Sequence, residues 1–135
     1  MKQKDADVCA IIVTFNRADL LRQCLDSLEA GSDLPQSFVI FDNGSSDDTL
    51  AMLLQRYELV WTGDETINLQ HIKIYKKRAI TVLHSPANLG GAGGFFGAMK
   101  YAHEYLEGSD YYWLMDDDGR VGRDALHKLK VHSAV

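Results

Sequence analysis

Three consecutive aspartates, Asp116, Asp117 and Asp118, follow the mostly apolar run YYWLM at residues 111–115. Adjacent carboxylates repel one another and gain nothing from burial, so water or a cation must surround them. A single acidic residue would be enough to favour a helix start through the helix dipole. Because Mg²⁺ binds through one or two carboxylates plus substrate phosphates, the triplet favours a divalent-metal site.

The spacing within the triplet predicts which carboxylates face such an ion. In an extended segment alternate side chains point to opposite sides, so Asp116 and Asp118 would face the metal and Asp117 would point away. The triplet is not part of an EF-hand, because the first ligand position would fall at Leu114 and the bidentate glutamate at Ala125.

Three more polar segments follow apolar runs: residues 14–17 (TFNR), 42–46 (DNGSS) and 88–94 (NLGGAGG). Asp42 and Asn43 are also common in turns and helix caps, so alone they are weak evidence for a site. The glycine-rich segment would let the backbone approach a ligand closely. It is not a dinucleotide fingerprint, whose third glycine would fall at Phe96, and it lacks the Gly-Lys-Ser/Thr of a Walker loop.

The elements that position these segments alternate between strand and helix. Continuous apolar runs predict buried parallel strands over residues 8–15, 37–42, 80–85 and 111–115. Helices are predicted over residues 17–30, 46–57, 95–106 and 124–135. Two capping boxes, Asn16 with Asp19 and Ser45 with Asp48, are expected at the first two helix starts.

Helical periodicity predicts one apolar face in each of two helices, formed by Leu20, Leu21, Cys24, Leu25 and Leu28, and by Phe95, Met99, Ala102 and Leu106. Residues 58–79 combine the alternating HIKIYKK with the turn-like TGDETIN, which predicts a hairpin-like insertion. Strand–helix alternation predicts an α/β fold with a Rossmann-like, doubly wound, mostly parallel sheet. Ligands bind at the carboxyl ends of such strands, where the four polar segments should meet.

The 135-residue chain is long enough for one domain, and its formal charge of -5 with no basic stripe argues against nucleic-acid binding. Cys9 and Cys24 are predicted to be buried thiols in a reducing compartment, without a disulfide. No run approaches the length of a transmembrane helix and the N-terminus does not resemble a signal peptide. We therefore expect a cytoplasmic protein, with peripheral association at the inner face of the membrane left open.

Four motifs in this order, VTFNR (13–17), DNGSSDDT (42–49), NLGGAGG (88–94) and LMDDD (114–118), resemble those of the family 2 glycosyltransferases with the GT-A fold. NLGGAGGF and MDDD are most similar to the galactofuranosyl- and rhamnosyltransferase branch. The resemblance spans roughly Val8 to Leu129. It implies that residues 1–135 are the nucleotide-sugar-binding domain of a metal-dependent, inverting enzyme. Such an enzyme transfers a sugar from a UDP- or dTDP-linked donor to a glycan or lipid-linked acceptor.

The same resemblance implies roles for individual residues. Along the nucleotide would lie Thr14, Asn16 and Arg17, with Asp42 near the base. Bordering the ribose or the donor sugar would be Asn88, Gly90 and Gly91. The aspartates would be the family's DxD motif, with Asp116 and Asp117 at the nucleotide sugar and Asp116 and Asp118 holding Mn²⁺ or Mg²⁺ against the diphosphate. The ion would stabilise charge on the departing diphosphate as a Lewis acid.

Members of the family continue well beyond this length, with the acceptor subdomain and the general base in their later half. We therefore expect a chain truncated at its C-terminus, which binds a nucleotide with a divalent ion but transfers sugar poorly. The general base is expected beyond Val135, the last residue of the sequence, and no residue within it is assigned that role. His127 and His132 fall in the last predicted helix and are interpreted as surface residues.

A non-catalytic nucleotide-binding or interaction domain on the same scaffold is the alternative function. A nicotinamide oxidoreductase is disfavoured because no glycine fingerprint follows the first strand. An aspartyl phosphatase is disfavoured because TFNR stands where its paired aspartates would be. The aromatic residues at 111–113 and at 95–96 are interpreted as core side chains rather than as a sugar-stacking platform.

Overall fold

The computed structural model describes residues 6–63, 71–106 and 108–133. Strand and helix alternate through most of this part of the chain. In chain order the elements are β1 (Val8–Thr14), α1 (Ala18–Glu29), β2 (Ser37–Asp42), α2 (Thr49–Tyr57), β3 (Val60–Trp61), β4 (Lys73–Lys77), β5 (Ile80–His84), α3 (Gly90–Tyr105), β6 (Tyr111–Asp116) and α4 (Ala125–Ser133).

The described strands form one sheet in the order β3-β4-β5-β2-β1-β6. Strands β5, β2, β1 and β6 run parallel, while β4 is antiparallel to both β3 and β5. The predicted α/β fold with a doubly wound, mostly parallel sheet is therefore confirmed. The hairpin-like insertion expected over residues 58–79 corresponds to β3 and β4, and its middle, residues 64–70, lies outside the described residues.

Helices cover both faces of the sheet because strand side chains alternate between the faces. Ala10 and Ile12 of β1 pack in a core cluster with residues of α1 and α2. Cys9 and Ile11 of the same strand pack in a second cluster with residues of α3. All four residues are fully buried. The continuous apolar run of β1 thus follows from burial on both faces, as in other parallel sheets.

Three burial predictions are wrong, those for Leu20, for strand β6 and for Phe96, which is 62% exposed although it was expected in the core. In α1, Leu20 is 38% exposed and Ala18 takes its place among the buried residues, because the helical repeat turns position 20 away from the sheet. Strand β6 is only half buried, since β1 is its one partner among the described strands. Tyr111 and Leu114 are close to half exposed. The aromatic residues at 112 and 113 do pack against the core clusters, as expected.

The chain changes direction across the sheet next to β1. Strands β1, β2 and β5 are added in one direction, and the chain then crosses over through α3 to place β6 on the other side of β1. Such a switch point leaves a crevice at the carboxyl ends of the two strands that flank it. The ends of β1 and β6, at Thr14 and Asp116, therefore define where a ligand would bind.

Candidate functional site

The crevice between β1 and β6 brings three of the expected residues into direct contact. Val13 pairs with Asp116 in the sheet, so the residues that follow each strand are adjacent. The Thr14 hydroxyl donates to Oδ2 of Asp117 at 3.0 Å, and Arg17 Nη1 lies 3.4 Å from Oδ1 of the same carboxylate. Asp117 is 5% exposed, so these two donors supply the compensation that a buried carboxylate requires.

Arg17 reaches a second carboxylate as well. Its Nη1 lies 3.8 Å from Oδ2 of Asp118, and both side chains are more than half exposed. Exposed ion pairs at such distances contribute little to stability. The Arg17 guanidinium therefore lies between two carboxylates and interacts weakly with both.

The expectation that the aspartate triplet continues an extended strand is wrong. Strand β6 ends at Asp116, and the backbone N–H of Gly119 donates back to the Asp116 carbonyl at 3.1 Å, which closes a turn. The turn directs Asp117 into the protein and leaves Asp116 and Asp118 exposed. The predicted division of the carboxylates, with Asp117 apart from Asp116 and Asp118, therefore agrees with their burial, although a turn rather than an extended strand produces it.

A buried thiol lies beneath the aspartate turn. Cys24 of α1 is fully buried, and its Sγ lies 3.9 Å from the Asp116 carbonyl oxygen. Burial, followed by the negative charges of Asp117 and Asp118, raises the pKa of this thiol from 9.0 to about 11. The group therefore stays protonated and acts as a weak hydrogen-bond donor rather than as a thiolate ligand.

Asn16 joins the loop after β1 to the loop after β2. Its backbone N–H donates to Ser45 Oγ at 2.9 Å, and its Oδ1 accepts from the N–H groups of Ser46 and Asp47 at 2.7 and 3.2 Å. The residue adopts a positive φ of 50°, which asparagine tolerates better than most residues. Two loops of the crevice are thereby held at a fixed distance.

Both predicted capping boxes are wrong. Helix α1 has Arg17 at its N-cap without a side-chain cap, because the Asn16 side chain is used across the loops and Asp19 pairs with Arg22. Before α2, Asp47 rather than Ser45 supplies the local bond, since its Oδ1 accepts from the Thr49 N–H at 2.9 Å.

Asp42 is present at the crevice, but its carboxylate is buried beneath a histidine that the sequence analysis did not single out. Its Oδ2 lies 2.7 Å from Nδ1 of His84, and its Oδ1 accepts from the Ser45 N–H at 3.2 Å. Asp42 is fully buried, whereas the His84 side chain is 22% exposed. The sequence signal for His84 was limited to its position near the end of the third predicted strand, at the edge where the polar segments meet.

The start of α3 is attached to the end of β2 by one amide side chain. Asn43 donates from Nδ2 to the Gly90 carbonyl at 2.9 Å and accepts at Oδ1 from the Leu89 N–H at 2.7 Å. Asn88 Oδ1 accepts from the Gly90 N–H at 2.8 Å, which closes the turn into the helix. These bonds fix the position of the helix N-terminus relative to the crevice.

The glycine-rich segment was expected to be a loop up to residue 94, and this prediction is wrong. Helix α3 begins at Gly90, so the glycines form its first turn. The glycines of this turn do not all have the same surroundings. A Cβ on Gly94 would come within 2.7 Å of Val13 Cγ1, so this glycine permits close packing of helix on strand. Around Gly90 and Gly91 there is open space, and Gly90 has a φ of +79°. The helix start therefore has open space beside Gly90 and Gly91, although the Gly90 N–H itself is bonded to the Asn88 side chain.

Most of the expected site residues thus lie along one edge of the sheet. Within the described parts of the chain, no group of three His, Cys, Asp or Glu side chains could hold a metal ion unaided. None of the described helices is long and apolar enough to cross a membrane.

The C-terminal residues considered in the sequence analysis lie away from this edge or outside the described part of the chain. His127 lies on α4, where it is exposed and 3.7 Å from a carboxylate oxygen of Asp33, as expected for a surface residue. The side chain of His132 lies outside the described residues. Val135 lies outside them too, so the general base expected beyond Val135 stays a prediction.

The strand order, the switch point and the polar crevice define an α/β protein with the GT-A architecture. The chain belongs to glycosyl transferase family 2, whose family model matches residues 9–130. The resemblance seen in the four sequence motifs is thereby confirmed.

Two mycobacterial relatives are similar over most of the chain. The galactofuranosyltransferase GlfT1 of Mycobacterium tuberculosis is 37% identical over 114 residues, and that of Mycolicibacterium smegmatis is 36% identical over 113 residues. Each alignment covers 84% of this chain but only 31% and 30% of the relative. The chain therefore spans about a third of the length of these relatives.

Solved structures share the fold at lower sequence identity. The crystal structure of S. aureus TarS 1-349 in complex with UDP superposes with a TM-score of 0.66 at 21% identity, covering 93% of this chain and 31% of TarS. The mannosyltransferase PcManGT from Pyrobaculum calidifontis, in complex with GDP-Man and Mn²⁺, gives a TM-score of 0.63 at 23% identity. That match covers 91% of this chain and 31% of PcManGT. At sequence identities this low, the two superpositions show a shared fold alone.

Proposed function

We propose that residues 1–135 bind a nucleotide-diphosphate sugar together with Mn²⁺ or Mg²⁺, as the donor-binding domain of an inverting glycosyltransferase. The observation that carries the proposal is the contact of Thr14 and Arg17 with Asp117 at the sheet's switch point, beside the exposed N-terminus of α3. Backbone N–H groups at a helix N-terminus favour phosphate, and carboxylates across the crevice favour a cation. A metal diphosphate carries both charges.

The carboxylates suit a hard divalent ion. Arg17 already lies as a cation within 4 Å of oxygens of both Asp117 and Asp118, so a positive group fits at this place. Asp116 and Asp118 are exposed and offer the oxygen ligands that Mg²⁺ and Mn²⁺ prefer. Because Mg²⁺ usually keeps water and binds substrate phosphates, a complete cage of protein ligands is not required. When bound, the ion would act as a Lewis acid on the leaving diphosphate.

The chain's own residues have separable roles in this proposal. Asp117 is held by Thr14 below the crevice and orients the turn rather than projecting into solvent. Arg17 has a half-exposed side chain and long contacts, so it can leave the carboxylates and approach a diphosphate. Asn88, Gly90 and Gly91 border the sugar side, where open space around the glycines admits a ligand. Asn16 holds the loop that carries Arg17.

The comparisons support the ligand class without extending to the acceptor. TarS was crystallised with UDP-GlcNAc and with UDP, and PcManGT with GDP-Man and Mn²⁺. The mycobacterial relatives are galactofuranosyltransferases, so a galactofuranosyl donor is the first one to test. We propose a glycan or lipid-linked hydroxyl as acceptor and a general base beyond Val135, and we assign no base among the described residues.

Isothermal titration calorimetry with UDP, with and without Mn²⁺, tests this function. We expect Mn²⁺ to tighten UDP binding by about tenfold or more, because carboxylates and phosphates would share one ion. Asp118→Ala should remove the metal-dependent part of the affinity. Glu104→Ala is the matched control, because it removes an exposed carboxylate from α3 roughly 20 Å along the helix from Gly90.

The outcomes separate clearly. Metal-dependent UDP binding in the wild type and in Glu104→Ala, but not in Asp118→Ala, supports the assignment. Equal metal dependence in all three proteins would remove Asp118 from the metal site. No binding of UDP, dTDP or GDP at millimolar concentration, with or without Mn²⁺, would overturn the proposed function as a whole.

A further inference from the structure

The Asp42–His84 pair is a partly buried polar contact at the crevice that has no part in the roles proposed above. Both carboxylate oxygens of Asp42 are engaged, Oδ2 with His84 Nδ1 at 2.7 Å and Oδ1 with the Ser45 N–H at 3.2 Å. The residue is fully buried. A nucleobase that approached this edge would therefore meet the histidine ring before it met the carboxylate.

The second ring nitrogen of His84 is available to a ligand. Among the described residues, the His84 side chain makes one polar contact, from Nδ1 to Asp42. Its other ring nitrogen, Nε2, has no protein partner among those residues. In the described part of the chain, the one buried side-chain nitrogen or oxygen without a hydrogen-bond partner is Nε of Arg56. Nε2 of His84 also lacks a partner there, so it is not buried and must reach solvent. The ring thus has one nitrogen anchored inside and one facing out.

The anchor determines what the outer nitrogen can do. A carboxylate only accepts hydrogen bonds, so Nδ1 of His84 must carry the proton that it donates to Asp42. In a neutral imidazole the other nitrogen then has a free lone pair and acts as an acceptor. Fixing a tautomer in this way is a common use of a carboxylate behind a histidine.

We propose that His84 is a specificity-determining residue for the nucleobase, with Nε2 accepting the imino N–H of the base and Asp42 acting as a positioning residue. This inference rests on the proposed nucleotide site. Uracil, thymine and guanine carry an imino N–H on the Watson–Crick edge, whereas cytosine and adenine present an unprotonated ring nitrogen at the same position. An acceptor facing an acceptor is left unpaired, which is the strongest basis for rejecting an analogue.

The position of His84 is consistent with this role. It is the last residue of β5, directly beside Asp42 in the parallel pair β2–β5, so its side chain lies at the carboxyl edge where ligands bind in such sheets. Strand β5 is two strands away from β1, and thus about 10 Å from the Thr14–Asp117 contact across the sheet. A nucleotide whose diphosphate lies at the aspartate turn can extend its base over that distance.

The test compares bases of equal ring size by calorimetry in the presence of Mn²⁺. We expect UDP to bind roughly tenfold or more tightly than CDP, or GDP than ADP, and the pair that binds identifies the ring size. His84→Phe should weaken the binding of UDP or GDP, which carry the imino N–H, by about that factor. The affinity for CDP or ADP should stay unchanged. His127→Phe is the matched control, because His127 also lies beside a carboxylate but on α4.

A second measurement needs no substitution. The ¹⁵N shifts of the His84 ring should report a protonated Nδ1 and an unprotonated Nε2 in the free protein, and only Nε2 should move when UDP or GDP is added. If His84→Phe weakens UDP and CDP equally, or if the Nε2 resonance does not respond to a bound nucleotide, the inference is wrong while the proposed function stands. If no nucleotide binds to the wild type, both are wrong.

Discussion

Replacing Gly94 by alanine would place a Cβ 2.7 Å from Val13 Cγ1 and 3.1 Å from Cγ2. Carbon atoms in favourable contact are about 3.5–4.0 Å apart, so α3 and β1 would have to separate by roughly 1 Å. Val13 cannot easily turn aside, because a β-branched side chain has few χ1 rotamers and this one lies in the sheet. Overpacking of this kind costs about 1–3 kcal/mol.

Gly91→Ala is the internal reference for this prediction. Both glycines lie in α3, and alanine gains about 0.8–1.0 kcal/mol of helix propensity over glycine at an interior position, somewhat less near the start. Nothing lies within 4 Å of a Cβ on Gly91, so that gain is unopposed. The difference between the two variants in the free energy of unfolding therefore isolates the contact with Val13. We expect Gly91→Ala to be the more stable by about 1–3 kcal/mol.

Urea unfolding followed by far-UV circular dichroism measures this difference. If Gly94→Ala is as stable as Gly91→Ala, the close approach of α3 to β1 is not a feature of the folded protein and the reasoning is refuted. The same variants also test the site. Gly91→Ala should weaken UDP binding in the presence of Mn²⁺ although it does not destabilise the fold, because a ligand would use the open space beside residue 91.

Three more predictions concern the site and its support. Thr14→Val keeps the side-chain shape but removes the donor to the buried Asp117 carboxylate, so thermal unfolding should show a loss of about 1.5–3 kcal/mol, and an unchanged transition would contradict it. Cys24 keeps its proton to about pH 11 in the folded protein because its pKa is raised, whereas an unfolded thiol ionises near about 8.5. Stability should therefore fall as the pH rises through that window, less so in Cys24→Ala, and iodoacetamide at about pH 8 should label Cys24 only after unfolding. Arg56→Ala breaks ion pairs between α2 and exposed carboxylates of α1 and should lower stability by about 1 kcal/mol at low salt, with the difference shrinking in about 1 M NaCl.

The parallel strands could be predicted from sequence because each is an apolar run buried on both faces, as β1 illustrates. The convergence of polar segments followed from the rule that ligand sites lie at strand carboxyl ends. Strand β6 was the exception. Its run YYWLM is as apolar as the others, but its burial depends on what lies beyond the sheet edge, and no pattern within the strand contains that information.

Local rules failed where a side chain bonds across loops instead of to its own helix. Asn16 fits the N-cap pattern, yet its Oδ1 is used by the loop after β2, a partner about thirty residues away. The glycines at 90–94 suggested a loop because glycine is a poor helix former. Contact with Val13 explains Gly94 in a helix, and that contact is visible only once the layers are assembled. His84 was missed because a single histidine at a strand end carries no pattern.

The side-chain amide of Asn43 forms hydrogen bonds to the start of α3 through both its oxygen and its nitrogen. The end of β2 and the start of that helix are therefore expected to move together. On the opposite side, Arg17 and Asp118 are separated by 3.8 Å and largely bathed in water. The crevice thus has a rigid side, where Asn43 joins β2 to α3, and a flexible side, formed by Arg17 and Asp118. In the proposed function the flexible side holds the metal diphosphate and the rigid side borders the sugar. Adjustment to a bound donor is therefore expected at Arg17 and Asp118, while Asn43 tolerates no exchange that removes either of its two hydrogen bonds.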